Sequence, residues 1–299
     1  MHYQTLALAL ALGTAAAQRP ADTPICDYYT TALLKENTAQ NQYTLLTLVV
    51  NTAVIGNYTT PNVGVKVPGI LAAGNYNGTD VNLLPYFNGE LASSNRGGSS
   101  GVSVNFLDGG GAAPLMKNMP ANDETSKQYF LLTHLYQFFG ALLGCSQYAM
   151  AGFPRYEGHE SMYQVHKFMD LDVNELGYFI QQVALAGASF GVAEDDLKAV
   201  GMALAQLFGL RCSPAATVIS EQGPQLQAIC IADSCPISPN ATCASYEPAM
   251  APKNATGGGM NATATGTTTM MRSSVPTTGG AAVQGLSMAA AIGACLILL

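Results

Sequence analysis

The sequence predicts an all-α domain that carries a long loop insertion and a cysteine-rich C-terminal appendix. Apolar residues recur at helical spacing over most of residues 126–211. Glycine-rich stretches interrupt any regular pattern over about residues 90–125. Four of the seven cysteines fall within residues 212–245. We therefore expect a helical domain at 18–211, with its insertion at about 90–125, followed by the appendix at 212–245.

Each helix is predicted from its apolar period and its end signals. One helix runs from Ser126 and stops at Gly144, and a later one has Asp172 to cap its start and Gly191 at its end. The remaining helices are predicted at about residues 40–57 (ending near Gly56), 159–169 and 194–211. Residues 60–125 are predicted as loops, with short strands as an open alternative.

Both ends of the chain carry targeting patterns. Residues 1–17 combine a short apolar run with a stretch of small residues, which is typical of a signal peptide, and the run is too short for the alternative of a transmembrane helix. Residues 281–299 end in an uncharged apolar tail that is typical of a glycosylphosphatidylinositol attachment signal. The attachment site is predicted at Gly279 or Ser273. A true tail anchor is the alternative.

The segment between appendix and tail, residues 246–280, is rich in Thr, Ser, Gly and Asn and is predicted to be a glycosylated stalk. The chain also contains five acceptor tripeptides for N-linked glycans. Their asparagines are Asn57, Asn77, Asn240, Asn254 and Asn261. The chain is therefore expected to be secreted to a plasma membrane or cell wall and held there by its lipid anchor.

Cysteine usage agrees with secretion. Removing the tail removes Cys295 and leaves an even number of cysteines, which predicts three disulfides without deciding their pairing. These residues are Cys26, Cys145, Cys212, Cys230, Cys235 and Cys243. A zinc site at Cys230 and Cys235 is the alternative, but no histidine lies near them in the sequence.

Composition and motifs exclude several function classes. The formal net charge is −7 and only 10% of residues are charged, so the basic face that nucleic acid requires is not predicted. The sequence contains neither a Gly-x-Ser-x-Gly elbow nor a His-Glu-x-x-His motif. Membrane attachment through the anchor is the one partnership that the sequence itself predicts.

Two histidines are candidates for binding chemistry. His166 lies on a short predicted helix among apolar neighbours, and His134 lies on the apolar face of the helix that begins at Ser126. For His134 the alternative is a core histidine bonded to a backbone carbonyl.

The sequence around His166 resembles the group I truncated haemoglobins. Leu143-Gly144 is followed by Tyr156-Glu157-Gly158, then Met162, then His166 four residues later. Gly191-Val192 follows at the family's distance from the histidine, and Leu83 to Gly89 resembles an earlier corner of that family. The match is dense over residues 134–210 and weak at 28–57.

This resemblance implies a two-over-two helical fold and a bound haem. His166 would be the proximal iron ligand and His134 a second axial ligand, and a small gas such as oxygen would be the partner. The implied pocket comprises His166, His134, Phe130, Leu131, Leu135, Phe138, Tyr156, Met162, Phe168 and Phe179. Val54 or a neighbouring residue stands where the family has a tyrosine that hydrogen-bonds the bound ligand, and residues 90–125 have no counterpart.

The expected function is therefore that of a surface haem protein that binds a small gas or captures haem. The alternative is a haem-free structural or adhesion protein of the wall, in which phenylalanines fill the pocket. The small apolar tail and the Thr-rich stalk resemble those of fungal wall proteins. An enzymatic activity is not assigned.

Overall fold

The computed structural model describes residues 19–59 and 63–255, which form eight helices and five short strands. The longer helices are α1 (Ile25–Leu34), α2 (Ala39–Ile55), α5 (Lys127–Leu142), α7 (Val173–Ser189) and α8 (Glu194–Phe208). The short helices are α3 (Leu84–Phe87), α4 (Ala112–Leu115) and α6 (Met162–His166). The strands are β1 (Gly74–Tyr76), β2 (Thr79–Val81), β3 (Asn88–Ser94), β4 (Val102–Asn105) and β5 (Lys253–Asn254).

The prediction of an all-α fold is wrong, because the chain is a mixture of helices and antiparallel sheet. Strands β1 and β2 form a two-stranded hairpin, and a three-stranded sheet has the order β4-β3-β5. The predicted loop insertion therefore contains β4 and most of β3.

The strands are not predicted from the sequence because their apolar and polar residues are not separated onto opposite faces. Three of the four residues of β4 are exposed, so it lacks the alternation of apolar and polar residues that marks a half-buried strand. The β1–β2 hairpin does have a local signal. Its turn is Asn77-Gly78, and both residues have positive φ, at 51° and 83°, as a tight hairpin turn of this kind requires.

The predicted helices are present, although the one predicted at about 159–169 is only the five-residue α6, and capping residues set several of the helix ends. Ser126 accepts a hydrogen bond from the Tyr129 amide at the start of α5. Asp172 and Glu175 form a reciprocal capping box at the start of α7. Helix α2 ends at Gly56, whose φ is 84°, and a Cβ there would lie only 2.6 Å from the Val67 carbonyl oxygen. Helix α1 is the long helix that the periodicity does not predict.

The core forms where the four longest helices meet. Helix α2 packs against both α5 and α7, and α7 packs against α8. Tyr136 on α5 and Leu204 on α8 are buried there, and Tyr178 on α7 is buried against the segment around Gly69 and Ala72. The β1–β2 hairpin lies on α7, where Gly177 allows the ring of Tyr76 to approach the helix backbone.

Three disulfides are confirmed, and the structure gives their pairing. Cys26 is bonded to Cys145, Cys212 to Cys243, and Cys230 to Cys235. The first bond fixes α1 to the loop after α5, and the other two lie in the C-terminal appendix. The pairing of Cys230 with Cys235 replaces the alternative of a zinc site at these two residues.

Several sequence predictions lie outside the described residues: the signal peptide, the attachment site at Gly279 or Ser273, the sequon at Asn261 and the apolar tail. Among residues 19–59 and 63–255, no helix has the length and apolar character needed to cross a membrane. Residues 246–255, at the start of the predicted stalk, pack against the domain, because β5 pairs with β3.

Candidate functional site

His166 is the last residue of α6, and its side chain is oriented by its own helix. Nδ1 lies 2.7 Å from the backbone oxygen of Met162. A carbonyl oxygen can only accept, so Nδ1 carries the proton and Nε2 keeps its lone pair. Within the described residues Nε2 makes no hydrogen bond. The structure therefore presents Nε2 as a potential ligand atom with a fixed ring orientation.

The surroundings of His166 favour its neutral form. Burial lowers the pKa of the imidazole from its ordinary value, and the bond to the Met162 carbonyl offsets part of this decrease. Metal binding requires a neutral imidazole, so the lowered pKa keeps His166 in the form that can ligate.

The N-terminal end of α6 is held by the C-terminal appendix. The amide of Met162 donates to Gln227 Oε1 at 3.1 Å, and the amide of Tyr163 donates to the Leu226 oxygen at 3.2 Å. Ser161 caps the helix through Gln164 N and also donates its hydroxyl to the Leu226 oxygen. Two amides of the first helical turn, which a helix cannot satisfy internally, thus find partners in the appendix.

His134 lies in the middle of α5 within a row of aromatic rings. Its ring centroid is 6.4 Å from that of Phe130 and 5.5 Å from that of Tyr156, which lies 5.4 Å from that of Phe138. Within the described residues neither ring nitrogen of His134 is hydrogen-bonded, so the alternative of a histidine bonded to a backbone carbonyl is not what this structure contains. Burial lowers the pKa of His134, and Glu157 partly counteracts it.

The structure brings only part of the predicted pocket together. Phe130, His134, Tyr156 and Phe138 lie in one row, with Phe130 exposed by 51% at its outer end. Phe168 is buried beside the β3–β4 hairpin, where its Cβ approaches Gly101.

Three of the remaining predicted residues border cavities. Leu131 and Leu135 line a small space between α5 and the segment around Phe106. Leu135 and Phe179 line a larger apolar cavity whose walls come mainly from α1, α2, α5, α7 and α8. Neither histidine lines either of these two cavities.

The larger cavity offers about 90 Å³ to the centres of water-sized molecules. Almost all of its wall is apolar, and the hydroxyl of Tyr29, one of its few polar neighbours, is already bonded to Asp196. An ordered water needs about two to four polar partners, so such a cavity suits a small apolar molecule better than water. Val54 and Leu135 border both cavities, which therefore lie side by side.

Sequence reasoning does not identify the residues that hold α6. Leu226 and Gln227 lie 63 and 65 residues after Tyr163 and Met162, in a segment without an apolar period. No local signal connects these two parts of the chain.

In comparisons with protein-family models, curated proteins and solved structures, no match to this chain is found. Over residues 19–59 and 63–255, no three His, Cys, Asp or Glu side chains are grouped so that they could hold a metal ion. A haem iron needs only one protein nitrogen, since the porphyrin itself supplies the equatorial ligands. A haem site in this chain therefore depends on its two candidate histidines.

Proposed function

We propose that this chain is a haem-binding protein of the cell surface, with His166 as the axial ligand of the iron. The observation that carries the proposal is the hydrogen bond from His166 Nδ1 to the Met162 oxygen at 2.7 Å. Metal-ligating histidines usually donate their second nitrogen to such a carbonyl, which fixes the tautomer and increases the basicity of the free nitrogen. The resemblance of residues 134–210 to truncated haemoglobins supports the same residue independently.

His166 offers a donor atom for this cofactor, whereas neither of the two cavities described above is lined by either histidine. His166 would supply Nε2, and the aromatic row of Phe130, His134 and Tyr156 lies along α5 and the loop between α5 and α6. Bound haem would supply an iron centre for a small gas or for electron transfer. His134, which has no hydrogen-bond partner among the described residues, would be the second histidine to hold the iron, and two histidine ligands favour low-spin iron.

Secretion and surface attachment belong to the same proposal. Four sequon asparagines lie within the described residues, and all four are exposed: Asn57, Asn77, Asn240 and Asn254. Three disulfides also fit an oxidising compartment. Retention on the membrane despite treatment of cells with a phosphatidylinositol-specific phospholipase would contradict the lipid anchor.

A haem-free structural or adhesion protein is the second candidate, and one observation favours it. The ring of Phe138 is buried and packs on Tyr156 at 5.4 Å and on Phe208 at 6.2 Å. Part of the predicted pocket is thus filled by the protein's own side chains.

The decisive experiment is absorption spectroscopy of the secreted protein produced with haemin supplied. We expect a Soret band in the wild type that is lost in His166→Ala. His159→Ala makes the same change at an exposed histidine seven residues upstream, and because His159 Nδ1 accepts from the Ser161 amide at 3.1 Å, it shows how much loosening the start of α6 contributes. His134→Ala should retain haem and convert the iron from low-spin to high-spin. A folded, colourless wild type would contradict haem binding and leave the structural role.

A further inference from the structure

The larger apolar cavity lies among the long helices, and its wall includes neither His166 nor His134. Protein interiors pack as densely as organic crystals, and voids larger than a water molecule are few in any domain. This cavity offers about 90 Å³ to the centres of water-sized molecules. A single water requires only about 10–15 Å³, so the space is large enough for a small organic molecule.

The wall of this cavity offers almost nothing for a polar ligand to bond. The hydroxyl of Tyr29 already donates to Asp196 Oδ2 and accepts from the Ala193 amide, both at 2.8 Å. The sulfur of Cys26 is in a disulfide. The other described wall residues are aliphatic, phenylalanine or glycine, and most belong to helices, whose backbone groups bond within the helix. A polar group buried here would lack a partner, which is costly in an apolar site.

Gly201 leaves this space open at a position where alanine would fit. It lies in the middle of α8 and lines the cavity together with Leu197 and Leu204, which stand four residues before it and three after it. A Cβ at Gly201 would meet only Ile180, at 4.0 Å. Glycine inside a helix is less favourable than alanine. Close packing therefore does not account for glycine here, whereas a ligand that needs the space does.

Helix α8 forms one wall of the cavity and is held at both ends. Near its start, Asp196 Oδ1 accepts from Arg19 Nη2 at 2.7 Å. At its end, the Phe208 oxygen accepts from the amides of Ile229 and Cys230, both at 2.9 Å. Between these two points α8 contributes apolar residues to the wall. A ligand in the cavity would therefore be covered by a helix that the rest of the fold fixes in place.

We propose that this cavity is a binding site for a small hydrocarbon without hydrogen-bonding groups. Its size follows from the volume, because an apolar cavity of about 150 Å³ binds benzene, so one of about 90 Å³ suits a molecule of about five carbon atoms. Its class follows from the apolar wall. The inference goes beyond haem binding and does not depend on it, since neither histidine lines the cavity.

The test is a titration of the secreted protein with cyclopentane, and tetrahydrofuran is the matched polar probe. The two rings differ only by an ether oxygen in place of a methylene group. Methyl NMR shifts of the wall residues give the affinity, and a ligand that binds only the folded protein also raises its unfolding temperature. We expect saturable binding of cyclopentane. Tetrahydrofuran should bind at least about tenfold more weakly, because its oxygen would be buried without a donor.

Substitutions in and beside the cavity locate the site. Gly201→Leu places a side chain in the cavity and should abolish the binding of cyclopentane. Ala203→Leu is the matched control, because it adds a leucine at an exposed position of the same helix, and it should bind as the wild type does. If Gly201→Leu does not fold, Ala184→Val takes its place. It adds two methyl groups to the α7 part of the wall and should raise the Kd for cyclopentane.

Each outcome decides for or against the site. The absence of saturable binding of cyclopentane to the wild type overturns the proposal. Equal affinities for the two rings overturn the hydrocarbon class of the ligand. Undiminished binding to a folded cavity variant places the ligand elsewhere and also overturns the proposal. Haem uptake has no bearing on these results, so the failure of either proposal is distinguishable from the failure of the other.

Discussion

The hydroxyl of Tyr136 donates a hydrogen bond to Asn51 Oδ1 at 2.5 Å, and both side chains are completely buried between α5 and α2. The amide of Asn51 in turn donates to the Leu115 oxygen at 3.2 Å. This polar pair joins two helices and α4 inside an apolar core, where an unmatched acceptor would be costly.

Replacing Tyr136 by Phe should therefore lower the free energy of unfolding by about 1–3 kcal/mol, because Asn51 Oδ1 would remain buried without its donor. Chemical denaturation monitored by far-UV circular dichroism measures the change. Tyr43→Phe is the control: its ring lies 5.7 Å from that of Tyr136, and its hydroxyl has no hydrogen-bond partner among the described residues. Equal effects of the two variants would contradict the role of the buried bond.

Two helical glycines should respond to alanine in opposite ways. A Cβ at Gly140 would overlap the ring of Phe153, which is fully buried. Overpacking of this kind costs about 1–3 kcal/mol, so Gly140→Ala should destabilise the protein. A Cβ at Gly201 would have Ile180 as its nearest neighbour at 4.0 Å. Gly201→Ala should therefore raise the unfolding free energy by about 0.5–1 kcal/mol through helix propensity.

Thermal unfolding of the two alanine variants side by side is the appropriate measurement, since the chemical change is identical. A Gly140→Ala protein as stable as Gly201→Ala would show that Phe153 moves freely and that the close packing of α5 at this position is not important.

Asp196 should contribute stability that is lost in acid. Its Oδ1 accepts from Arg19 Nε at 3.0 Å and Nη2 at 2.7 Å, and its Oδ2 accepts from the Tyr29 hydroxyl at 2.8 Å. The hydrogen bond from Arg19 is the largest cause that lowers the pKa of this carboxyl. A lowered folded-state pKa means that the contribution is complete above the unfolded value of about 3.9 and disappears as pH falls through the folded value.

Asp196→Asn should consequently be less stable than the wild type at pH 7, by about 1–3 kcal/mol, and the difference should shrink below about pH 4. Denaturant titrations at several pH values give this curve. Asp195→Asn, a change at the neighbouring and largely exposed carboxylate, should have little effect at any pH. A difference for Asp196→Asn that does not depend on pH would rule out the charge as its source.

The disulfides should differ in their contribution to stability according to the loops that they close. The bond between Cys26 and Cys145 spans 119 residues, whereas that between Cys230 and Cys235 spans 5. Loop-closure entropy gives about 5 kcal/mol for the first and about 2 kcal/mol for the second. The double alanine variants at each pair, compared by guanidinium unfolding, should follow this order, and the reverse order would contradict the entropic account.

The sequence predicts those elements in which buried apolar residues recur at a regular spacing along the chain. Helices α5 and α7 were predictable because Ser126 and Asp172 cap them and their apolar residues recur at helical spacing. Strand β4 was not, since its exposed residues carry no alternation. The dipeptide Asn77-Gly78 was a local signal for the turn of the first hairpin, although the composition of the segment does not indicate strands.

The residues of the candidate site also differ in whether the sequence indicates them. His166 could be singled out from the sequence because its motif is local, and its role as an iron ligand stays a prediction. Gln227 and Glu247, which hold its helix, were not, because they contact α6 from 65 and 84 residues away along the chain. Hydrogen bonds between residues far apart in the chain do not produce a periodic sequence pattern in either segment.

The bond between Cys26 and Cys145 also orders events during synthesis. Cys26 precedes its partner by 119 residues, which at about 5–20 residues per second corresponds to about 6–24 s of translation. During that interval the Cys26 thiol on α1 cannot form its native disulfide. Cys145 is the next cysteine to emerge, ahead of the four of the appendix, so the native pair can close before any competitor is made. The order of cysteines along the chain therefore protects the longest crosslink from mispairing.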